Sequence, residues 1–338
     1  MIDYNFDFSW IDSRHLLKSE PTMKIRNTVI AIFSVALMVI AQGVIAEEVS
    51  DSKAVLVTGA SSGIGLRITE TLSRNGFYVY AGARKAEDLK RLDAMENVSS
   101  VRLDVTVDED IDAAIGFVEK QGRGLWGIVN NAGVARHSSL LSGPESDIRF
   151  TFDINVFGPF RINQAFLPML LESSGRTSII GSISGFTAND SDGGYAASKF
   201  AVEGYTDSLA MELAGTGVHV AIVEPGSYKS KFLGKYAAHA LGAERNVVID
   251  DETRKSLTDI VASNEALKDP LEVALAVLHL MSSDAPKRRY MVTPSEEQAA
   301  WTIRQAFQRI LELNEGQPYS YNRDELVALL DELLKTTK

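Results

Sequence analysis

The sequence predicts an α/β protein in which a parallel sheet of about seven strands is covered by helices on both faces. From residue 53 onward, short runs rich in β-branched residues alternate with longer amphipathic stretches. Repeated alternation of strand and helix is typical of a doubly wound parallel sheet. The sequence of the predicted core contains no internal repeat, low-complexity tract or linker. The pattern therefore indicates one large domain.

The predicted elements follow in chain order. Six buried strands are predicted at residues 54–57, 78–82, 101–103, 127–129, 178–181 and 219–223, and an edge strand at 289–292. The helices between them are predicted at residues 65–75, 108–120, 145–171 and 195–213, and another opens at Asp269-Pro270 and runs through Met281. A helical C-terminal extension follows, with one helix from Pro294 to about Leu313 and an amphipathic one at 322–335. We expect these last helices to pack on the domain or contact another subunit, and capping of a pocket is the alternative.

Composition excludes several classes of function. The formal net charge is -11, and so acidic a surface repels nucleic acid and anionic lipid, so we expect no nucleic-acid partner. The chain has no cysteine, which excludes disulfide frameworks, thiolate metal ligands and cysteine nucleophiles. The five histidines are scattered without ligand spacing, and we predict no metal site.

Residues 23–46 have the pattern of an export signal. The basic start Met23-Lys24-Ile25-Arg26 precedes an apolar run at 29–41, which is broken only by Ser34. It is followed by Gln42-Gly43-Val44-Ile45-Ala46 and then by two glutamates. This order is typical of a secretory signal cleaved after Ala46. An uncleaved segment at 28–46 that anchors the protein in a membrane is one alternative, and a cytoplasmic location is the other.

A glycine-rich turn directly follows the first predicted strand and opens the first predicted helix, with the sequence Thr58-Gly59-Ala60-Ser61-Ser62-Gly63-Ile64-Gly65. Glycines permit a tight turn and let a pyrophosphate approach the backbone, while the helix N-terminus offers free N–H groups to the anion. The position predicts a dinucleotide site on a Rossmann-type sheet, and an ordinary tight turn is the alternative. The predicted contacts are Gly59, Ser61, Ser62, Gly63, Ile64 and Gly65.

The glycine spacing resembles that of the short-chain dehydrogenase/reductase family, and the resemblance extends over roughly residues 53–292. It is carried further by Asn130-Asn131-Ala132-Gly133 after the fourth strand, Asp104-Val105 after the third and Pro225-Gly226 after the sixth. The resemblance implies that Asn131, Ala132 and Gly133 border the cofactor, that Asp104 and Val105 lie at its adenine and that Pro225 and Gly226 lie on its nicotinamide side. Ser230 stands where the family more usually has threonine.

The end of the second strand indicates which dinucleotide is preferred. An NAD site usually has an acidic residue about twenty positions after the glycine turn, where it binds the ribose 2′-hydroxyl. Here Ala83 takes that place and is followed by Arg84 and Lys85. A 2′-phosphate would find cationic donors at Arg84 and no carboxylate to repel it. We therefore predict NADP(H), with NAD(H) possible and a solvated surface arginine as the alternative.

Tyr195-Ala196-Ala197-Ser198-Lys199 places a phenol and an ammonium one helical turn apart on the same face. A tyrosine hydroxyl has an ordinary pKa of about 10, and a nearby cation is expected to lower it toward the working range. Because Tyr-x-x-x-Lys is common by chance, the interpretation depends on the other motifs. The resemblance implies that both residues also contact the cofactor, with Lys199 at the nicotinamide ribose.

Two more residues match the catalytic set of the family. Ser182 lies thirteen residues before Tyr195 at the end of a predicted strand, where its hydroxyl would polarise a carbonyl or hold an alkoxide. Asn155 matches the family's fourth member, which is thought to support a water chain from the lysine. The resemblance implies hydride exchange between nicotinamide C4 and an alcohol or carbonyl carbon, with Tyr195 donating the proton in reduction and removing it in oxidation.

The substrate is indicated only by class. The segment 227–268 and its surroundings are rich in apolar and aromatic residues, namely Phe186, Tyr228, Phe232, Leu233, Tyr236 and Leu241. They suggest a bulky hydrophobic alcohol or ketone, and parts of the chain look like hydroxysteroid and retinol dehydrogenases. Packing of the same side chains against the domain is an equal alternative.

Three regions follow from these predictions: an N-terminal extension at 1–46, a dinucleotide-binding domain at 47–292 with its substrate loop at 227–268, and the helical extension at 293–338. We expect the protein to form a homo-oligomer. An extended-type sugar epimerase is disfavoured by the glycine spacing. A nucleotide-binding sensor or scaffold without activity is a further alternative, but Ser182, Tyr195 and Lys199 are all present.

Overall fold

The computed structural model describes residues 52–136, 139–188, 192–232, 234, 251–264 and 266–336. Its seven strands are β1 Ala54–Val57, β2 Tyr78–Ala83, β3 Val98–Arg102, β4 Gly127–Asn130, β5 Arg176–Ile180, β6 His219–Pro225 and β7 Arg289–Val292. All pair in parallel, in the order β3-β2-β1-β4-β5-β6-β7. The chain therefore starts at the middle of the sheet and changes direction between β1 and β4. The predicted doubly wound parallel sheet is confirmed.

The described helices are α1 Gly63–Arg74, α2 Ala86–Asp93, α3 Asp108–Gln121, α4 Glu145–Phe152, α5 Gly158–Ser173, α6 Gly193–Glu212, α7 Asp251–Asn264, α8 Leu271–Ser282, α9 Glu296–Asn314 and α10 Arg323–Thr336. A π-helical turn at Asp153–Phe157 joins α4 to α5, and a 3₁₀ turn at Ile183–Gly185 follows β5. Among the described helices, none is long and apolar enough to cross a membrane.

Helices cover both faces of the sheet because neighbouring side chains of a buried strand point in opposite directions. All four residues of β1 are buried. Val55 and Val57 belong to the apolar cluster that includes residues of α1 and α8, whereas Leu56 lies in the opposite cluster with residues of α3 and α5. A strand that is apolar throughout is therefore what this position in the sheet requires.

The largest differences from the sequence prediction lie in two helical regions. The helix predicted at 145–171 is interrupted by the π turn at Asp153–Phe157. Pro159, at the start of α5, has no N–H to donate to the carbonyl four residues earlier, so regular α-helical bonding cannot continue through this point. Helix α2 was not predicted, because it has eight residues and buries only Leu92, which is too short a pattern to recognise.

Several predictions concern residues outside the described part of the chain. The export segment at 23–46 lies there, as do three of the predicted pocket residues, Leu233, Tyr236 and Leu241. The export signal, the membrane anchor and the cytoplasmic alternative therefore stay predictions, and so does the division into three regions.

Candidate active site

The predicted site residues lie along one edge of the sheet. In a parallel sheet the carboxyl ends of all strands meet at the same edge, and ligands bind there where the strand order reverses. The glycine turn follows β1, Arg84 follows β2, and Asn131 follows β4. Ser182 lies just past β5, and Pro225 is the last residue of β6. The topology thus brings the separate motifs to one cleft.

The glycine turn has the backbone that its sequence predicts. Gly59 and Gly63 have positive φ angles of 66° and 55°, a conformation that favours glycine. Gly65 has an ordinary φ, but a Cβ there would lie closer than 3.0 Å to the Asn131 amide nitrogen and to the carbonyl oxygen of Gly59. The turn is therefore packed too closely for a side chain at Gly65.

Thr58 joins this turn to the segment after β4. Its hydroxyl accepts hydrogen bonds from the backbone N–H groups of Asn131 and Ala132, both at 3.0 Å. In return the Asn131 side-chain amide donates to the carbonyl oxygens of Thr58, at 2.9 Å, and Gly59, at 3.2 Å. Thr58 is the first residue of the glycine-turn motif, but no role was predicted for it from the sequence. Its place directly before the first glycine, where a buried hydroxyl needs a partner, is the signal that could have identified it.

The start of α1 has the properties that a pyrophosphate site needs. The N-cap residue Ser62 forms no side-chain cap hydrogen bond with the described residues, and the first turn of α1 contains no acidic residue. The free N–H groups and the positive end of the helix dipole are therefore available to an anion. Together with the close-packed glycines, this fits the dinucleotide site that the sequence predicts. Ile64, by contrast, packs partly against the core.

Arg84 lies at the predicted ribose end and is paired with Asp104. Its guanidinium donates to the Asp104 carboxylate at 3.1 Å, and the side chain is 58% exposed. Burial by itself raises the pKa of Asp104, but hydrogen bonds from Thr106 and from Arg84, together with the charge of Arg84, outweigh it and lower the pKa. Asp104 is therefore a carboxylate at neutral pH, and Val105 beside it is buried in the core.

A second cation lies at the glycine turn and was missed in the sequence. Arg91, on α2, donates to the carbonyl oxygen of Ser61 at 2.6 Å and to the carboxylate of Asp88 at 2.8 Å. The i,i+3 spacing of Asp88 and Arg91 predicts their ion pair. It does not predict the contact with Ser61, which depends on how α2 docks beside the turn.

Tyr195 and Ser182 meet in the cleft. Their side chains are hydrogen-bonded, with Ser182 lowering the pKa of the tyrosine. Burial has the larger effect and, with a contribution from the charge of Asp192, raises the pKa of Tyr195 to about 12. The predicted lowering of this pKa is therefore not observed. The ring of Phe232 lies beside that of Tyr195, with 5.2 Å between centroids.

Lys199 lies behind the tyrosine. It is only 6% exposed, its Nζ donates to the carbonyl oxygen of Ile180 at 2.8 Å, and it lies 5.6 Å from the centroid of the Tyr195 ring. Burial lowers the pKa of Lys199 to about 8, against an opposing contribution from Glu203. Lys199 is therefore cationic below about pH 8. Its ammonium group is held in place by the hydrogen bond to the Ile180 carbonyl.

Asn155 occupies the π turn, where the helix is locally widened. Its side-chain oxygen accepts from the N–H of Val134 at 2.9 Å, and its amide donates to the Val134 carbonyl at 2.9 Å and to the Ser198 hydroxyl at 3.0 Å. Gly133 lies close by, since a Cβ there would be 3.5 Å from the Asn155 oxygen. Asn155 therefore connects the loop after β4 to the helix of Tyr195 and Lys199. Ser198 was not predicted to take part.

A buried ionic cluster below Lys199 was also missed. Glu203 and Glu224 are 8% and 2% exposed, and both are paired with Arg289 from β7. Burial raises the pKa of both carboxyls, that of Glu224 to about 7. A Cβ on Gly185 would meet the Glu203 carboxylate, so Glu203 underlies the turn that follows Ser182. The i,i+4 spacing of Lys199 and Glu203 was the available signal.

The segment after β6 folds back over the glycine turn. A Cβ on Gly63 would lie 2.9 Å from the Cβ of Ser230, so this serine lies against the predicted phosphate site. Tyr228 is 4% exposed, and its hydroxyl donates to Glu272 at 2.7 Å. Tyr228 therefore packs against the domain, whereas Phe232 faces the cleft. The packing alternative therefore applies to Tyr228, and a substrate contact of Phe232 stays a prediction.

Comparison with known proteins adds to this geometry. The family model described as short chain dehydrogenase matches residues 53–240. The uncharacterized oxidoreductase YbbO of Escherichia coli (strain K12) is 33% identical over 248 residues, which cover 71% of this chain and 86% of that protein. The mitochondrial D-beta-hydroxybutyrate dehydrogenase of Bos taurus is 32% identical over 262 residues, covering 71% and 76% respectively.

The fold comparison agrees with the sequence comparison. A crystal structure of a variant of actinorhodin polyketide ketoreductase with NADPH is 28% identical, and its TM-score is 0.60 with 72% of this chain and 96% of that chain covered. The family model spans more than half of the chain, and the two relatives exceed 30% identity over most of their length. The chain therefore belongs to the short-chain dehydrogenase family of oxidoreductases.

Proposed function

We propose that this protein interconverts a bulky hydrophobic alcohol and its ketone or aldehyde, with NADP(H) preferred over NAD(H). The grouping of Ser182, Tyr195 and the buried Lys199 past the carboxyl end of β5 is the observation that carries the proposal, with Lys199 Nζ 5.6 Å from the centroid of the Tyr195 ring. A steroid- or retinoid-like substrate is the specific class we propose. It is supported by the Phe232 ring beside Tyr195. The dehydrogenase named for the bovine relative supports the alcohol–carbonyl reaction and not this substrate class.

The residues of the chain divide the chemical work. A bound nicotinamide would supply or accept the hydride at its C4 atom. Tyr195, whose raised pKa keeps it protonated at neutral pH, donates a proton to the carbonyl oxygen in the direction of reduction. Ser182 hydrogen-bonds the same oxygen as charge develops on it. Lys199, held by the Ile180 carbonyl, supplies a fixed positive charge. Asn155 holds helix α6, which carries both Tyr195 and Lys199.

A panel of alcohols and ketones tests the substrate class. We expect turnover of steroid- and retinoid-type alcohols or ketones with a kcat/KM at least about tenfold above that for 3-hydroxybutyrate, because burying a large apolar surface beside Phe232 contributes several kcal/mol. Initial rates are measured by nicotinamide absorbance with both cofactors. Preference for the short hydroxy acid would contradict the substrate class. Cofactor binding without turnover on the whole panel would favour a sensor or scaffold.

The preference for NADP(H) is supported by charge at the end of β2. Ala83 lies where an NAD site usually has its ribose-binding carboxylate and is buried with no polar group to offer. Arg84 follows it and is exposed. The guanidinium of Arg84 would bind a 2′-phosphate in place of Asp104 or together with it. Its charge-assisted hydrogen bonds to the phosphate would be stronger than those to a neutral 2′-hydroxyl. Because Asp104 stays nearby as a carboxylate, we propose a preference and not exclusive use of NADP(H).

Arg84→Glu is expected to reverse this preference. The variant should bind NADPH at least about tenfold more weakly and NADH about equally well, because a carboxylate repels a 2′-phosphate and can accept from a 2′-hydroxyl. Dissociation constants are measured by quenching of protein fluorescence. Lys90→Glu makes the same charge change at an exposed position of α2 and should alter both constants by less than about twofold. Equal losses in the two variants would mean that Arg84 has no specific role.

Location and assembly are further proposals. The order of basic, apolar and small residues at 23–46 supports export or membrane association. The apolar side chains exposed on α9 and α10, among them Phe307, Ile310 and Leu333, support self-association, since exposed apolar patches mark contact surfaces. Sequencing of the mature N-terminus tests the first proposal. The mass in solution tests the second, and a monomer at micromolar concentration would contradict it.

A further inference from the structure

Helix α9, in the C-terminal extension, is fixed against the domain next to the cleft. Thr302, on its inner face, is 2% exposed and donates to the carbonyl oxygen of Gln298 at 2.8 Å. Further along, the guanidinium of Arg309 lies 4.1 Å above the ring of Phe200, the residue that follows Lys199. The helix therefore has a defined position relative to both the turn after β6 and the catalytic helix α6.

The Gln298 side chain covers the turn after β6. Its oxygen accepts from the backbone N–H of Ser227 at 2.9 Å, and its amide donates to the Ser227 hydroxyl at 3.1 Å. A Cβ on Gly226 would lie closer than 3.0 Å to the Gln298 oxygen and 3.0 Å from Pro294. The amide of Gln298 thus occupies the space above Gly226, and a side chain at this position would have to displace it.

The same turn is held from the other side by the sheet. The N–H of Gly226 donates to the carbonyl oxygen of Val292 at 2.7 Å, at the end of β7. The backbone at 225–227 is therefore fixed between the last strand and Gln298, and two separate parts of the chain determine where it lies.

We propose that Gln298 is a positioning residue that fixes the nicotinamide-side turn 225–227, so that the C-terminal extension controls how the nicotinamide half of the cofactor is held. The proposal rests on the proposed function and on the family resemblance, which implies that Pro225 and Gly226 lie on the nicotinamide side of the cofactor. Gln298 touches the turn and not the glycine loop after β1, so it acts on one half of the dinucleotide. The adenosine half, at Arg84 and Asp104, is held by other elements.

Gln298→Leu tests this with two probes. The variant removes both hydrogen bonds and keeps the volume, and each bond is worth about 1 kcal/mol. We expect NADPH to bind about fivefold more weakly and kcat to fall at least fivefold, while 2′-phospho-ADP-ribose, which lacks the nicotinamide, binds within twofold of the wild-type affinity. Equal weakening of both probes, or an unchanged NADPH affinity and kcat, would overturn the proposal.

Two controls separate positioning from folding. Gln308→Leu makes the same change on the same helix, at an exposed residue that bonds Glu312 one turn away, and should change neither probe. Gln298→Glu keeps the oxygen that accepts from the Ser227 N–H, so it should recover most of the NADPH affinity. If Gln298→Glu binds NADPH no more tightly than Gln298→Leu does, loss of the hydrogen bond to the Ser227 N–H is not the cause of the weaker binding.

A double-mutant cycle supplies a measurement that does not depend on the leucine variant. Gly226→Ala should weaken NADPH binding because its Cβ meets Gln298. In the background of Gln298→Ala the same change should weaken NADPH binding less. Additive effects would overturn the proposal. Wild-type protein that binds neither NADPH nor NADH would instead refute the proposed function itself, whereas normal wild-type binding with additive variants refutes only the role of Gln298.

Discussion

Tyr195→Phe is expected to reduce turnover by at least about 10³-fold while leaving cofactor binding within about twofold of the wild type. The variant removes only the hydroxyl that donates or accepts the proton, a contribution of about 10²–10⁴ in enzymes. It also leaves the hydroxyl of Ser182 without its partner in the cleft. The aromatic ring, which packs beside Phe232, is kept. The measurements are kcat on the best substrate and the dissociation constant for NADPH.

The matched control is Tyr205→Phe on the same helix. Tyr205 accepts a hydrogen bond from the Asn163 amide at 3.0 Å and has no place in the proposed chemistry. Its loss is expected to cost about 1 kcal/mol of unfolding free energy and to leave kcat within twofold. Retention of wild-type turnover by Tyr195→Phe would refute the role of Tyr195. An equal loss in both variants would show that activity reports only the integrity of α6.

The local part of the site could be predicted because its residues are adjacent in sequence. The glycine turn is eight consecutive residues between a strand and a helix, and Tyr195 and Lys199 are one helical turn apart, so periodicity alone places them together. Once the parallel sheet was predicted, its geometry placed Ser182 and Asn131 at the same edge. The roles of Ser182 and Asn131, by contrast, were implied by the resemblance to the short-chain dehydrogenase/reductase family.

The long-range contacts could not be predicted, because no local pattern specifies which residues meet. Arg289 pairs with Glu203 and Glu224 from two different elements, and Gln298 reaches Ser227 across 71 residues. Such pairs depend on the register of β7 and the docking of α9. A lone amide such as Gln298 in a helix is typical of a solvated surface, so it carried no sequence signal for its role. The i,i+4 spacing of Lys199 and Glu203 brings those two residues together but does not identify Arg289 as their neighbour.

The pKa of Tyr195 shows how burial can outweigh a charge that the sequence does reveal. Spacing places Lys199 near the phenol, which favours the phenolate. Burial of the hydroxyl disfavours the phenolate more strongly and raises the pKa to about 12, while the ammonium is directed to the carbonyl of Ile180. The direction of the shift therefore depends on depth in the cleft, a property of the folded chain that the motif does not contain.

Gly65→Ala is expected to weaken binding of NADPH and NADH by about 100-fold. The new methyl group would lie closer than 3.0 Å to the Gly59 carbonyl and to the Asn131 amide. Relief requires movement of the backbone that is meant to approach the pyrophosphate. Overpacking of this kind costs about 1–3 kcal/mol, and a 100-fold loss corresponds to about 2.7 kcal/mol. Because the turn lies at the phosphates, both cofactors and 2′-phospho-ADP-ribose should lose affinity together.

Gly116→Ala is the control that distinguishes this steric effect from a general effect of glycine replacement. Gly116 lies in α3, and a Cβ there would have nothing within 4 Å. Alanine in a helix interior is more stable than glycine by about 0.5–1 kcal/mol, so this variant should raise the melting temperature slightly and bind cofactor normally. Gly65 is also helical and has an ordinary φ, so helix propensity alone would make Gly65→Ala stabilising too. Only the contacts with Gly59 and Asn131 make the effect of Gly65→Ala unfavourable. Wild-type cofactor affinity in Gly65→Ala would show that the turn does not hold a pyrophosphate.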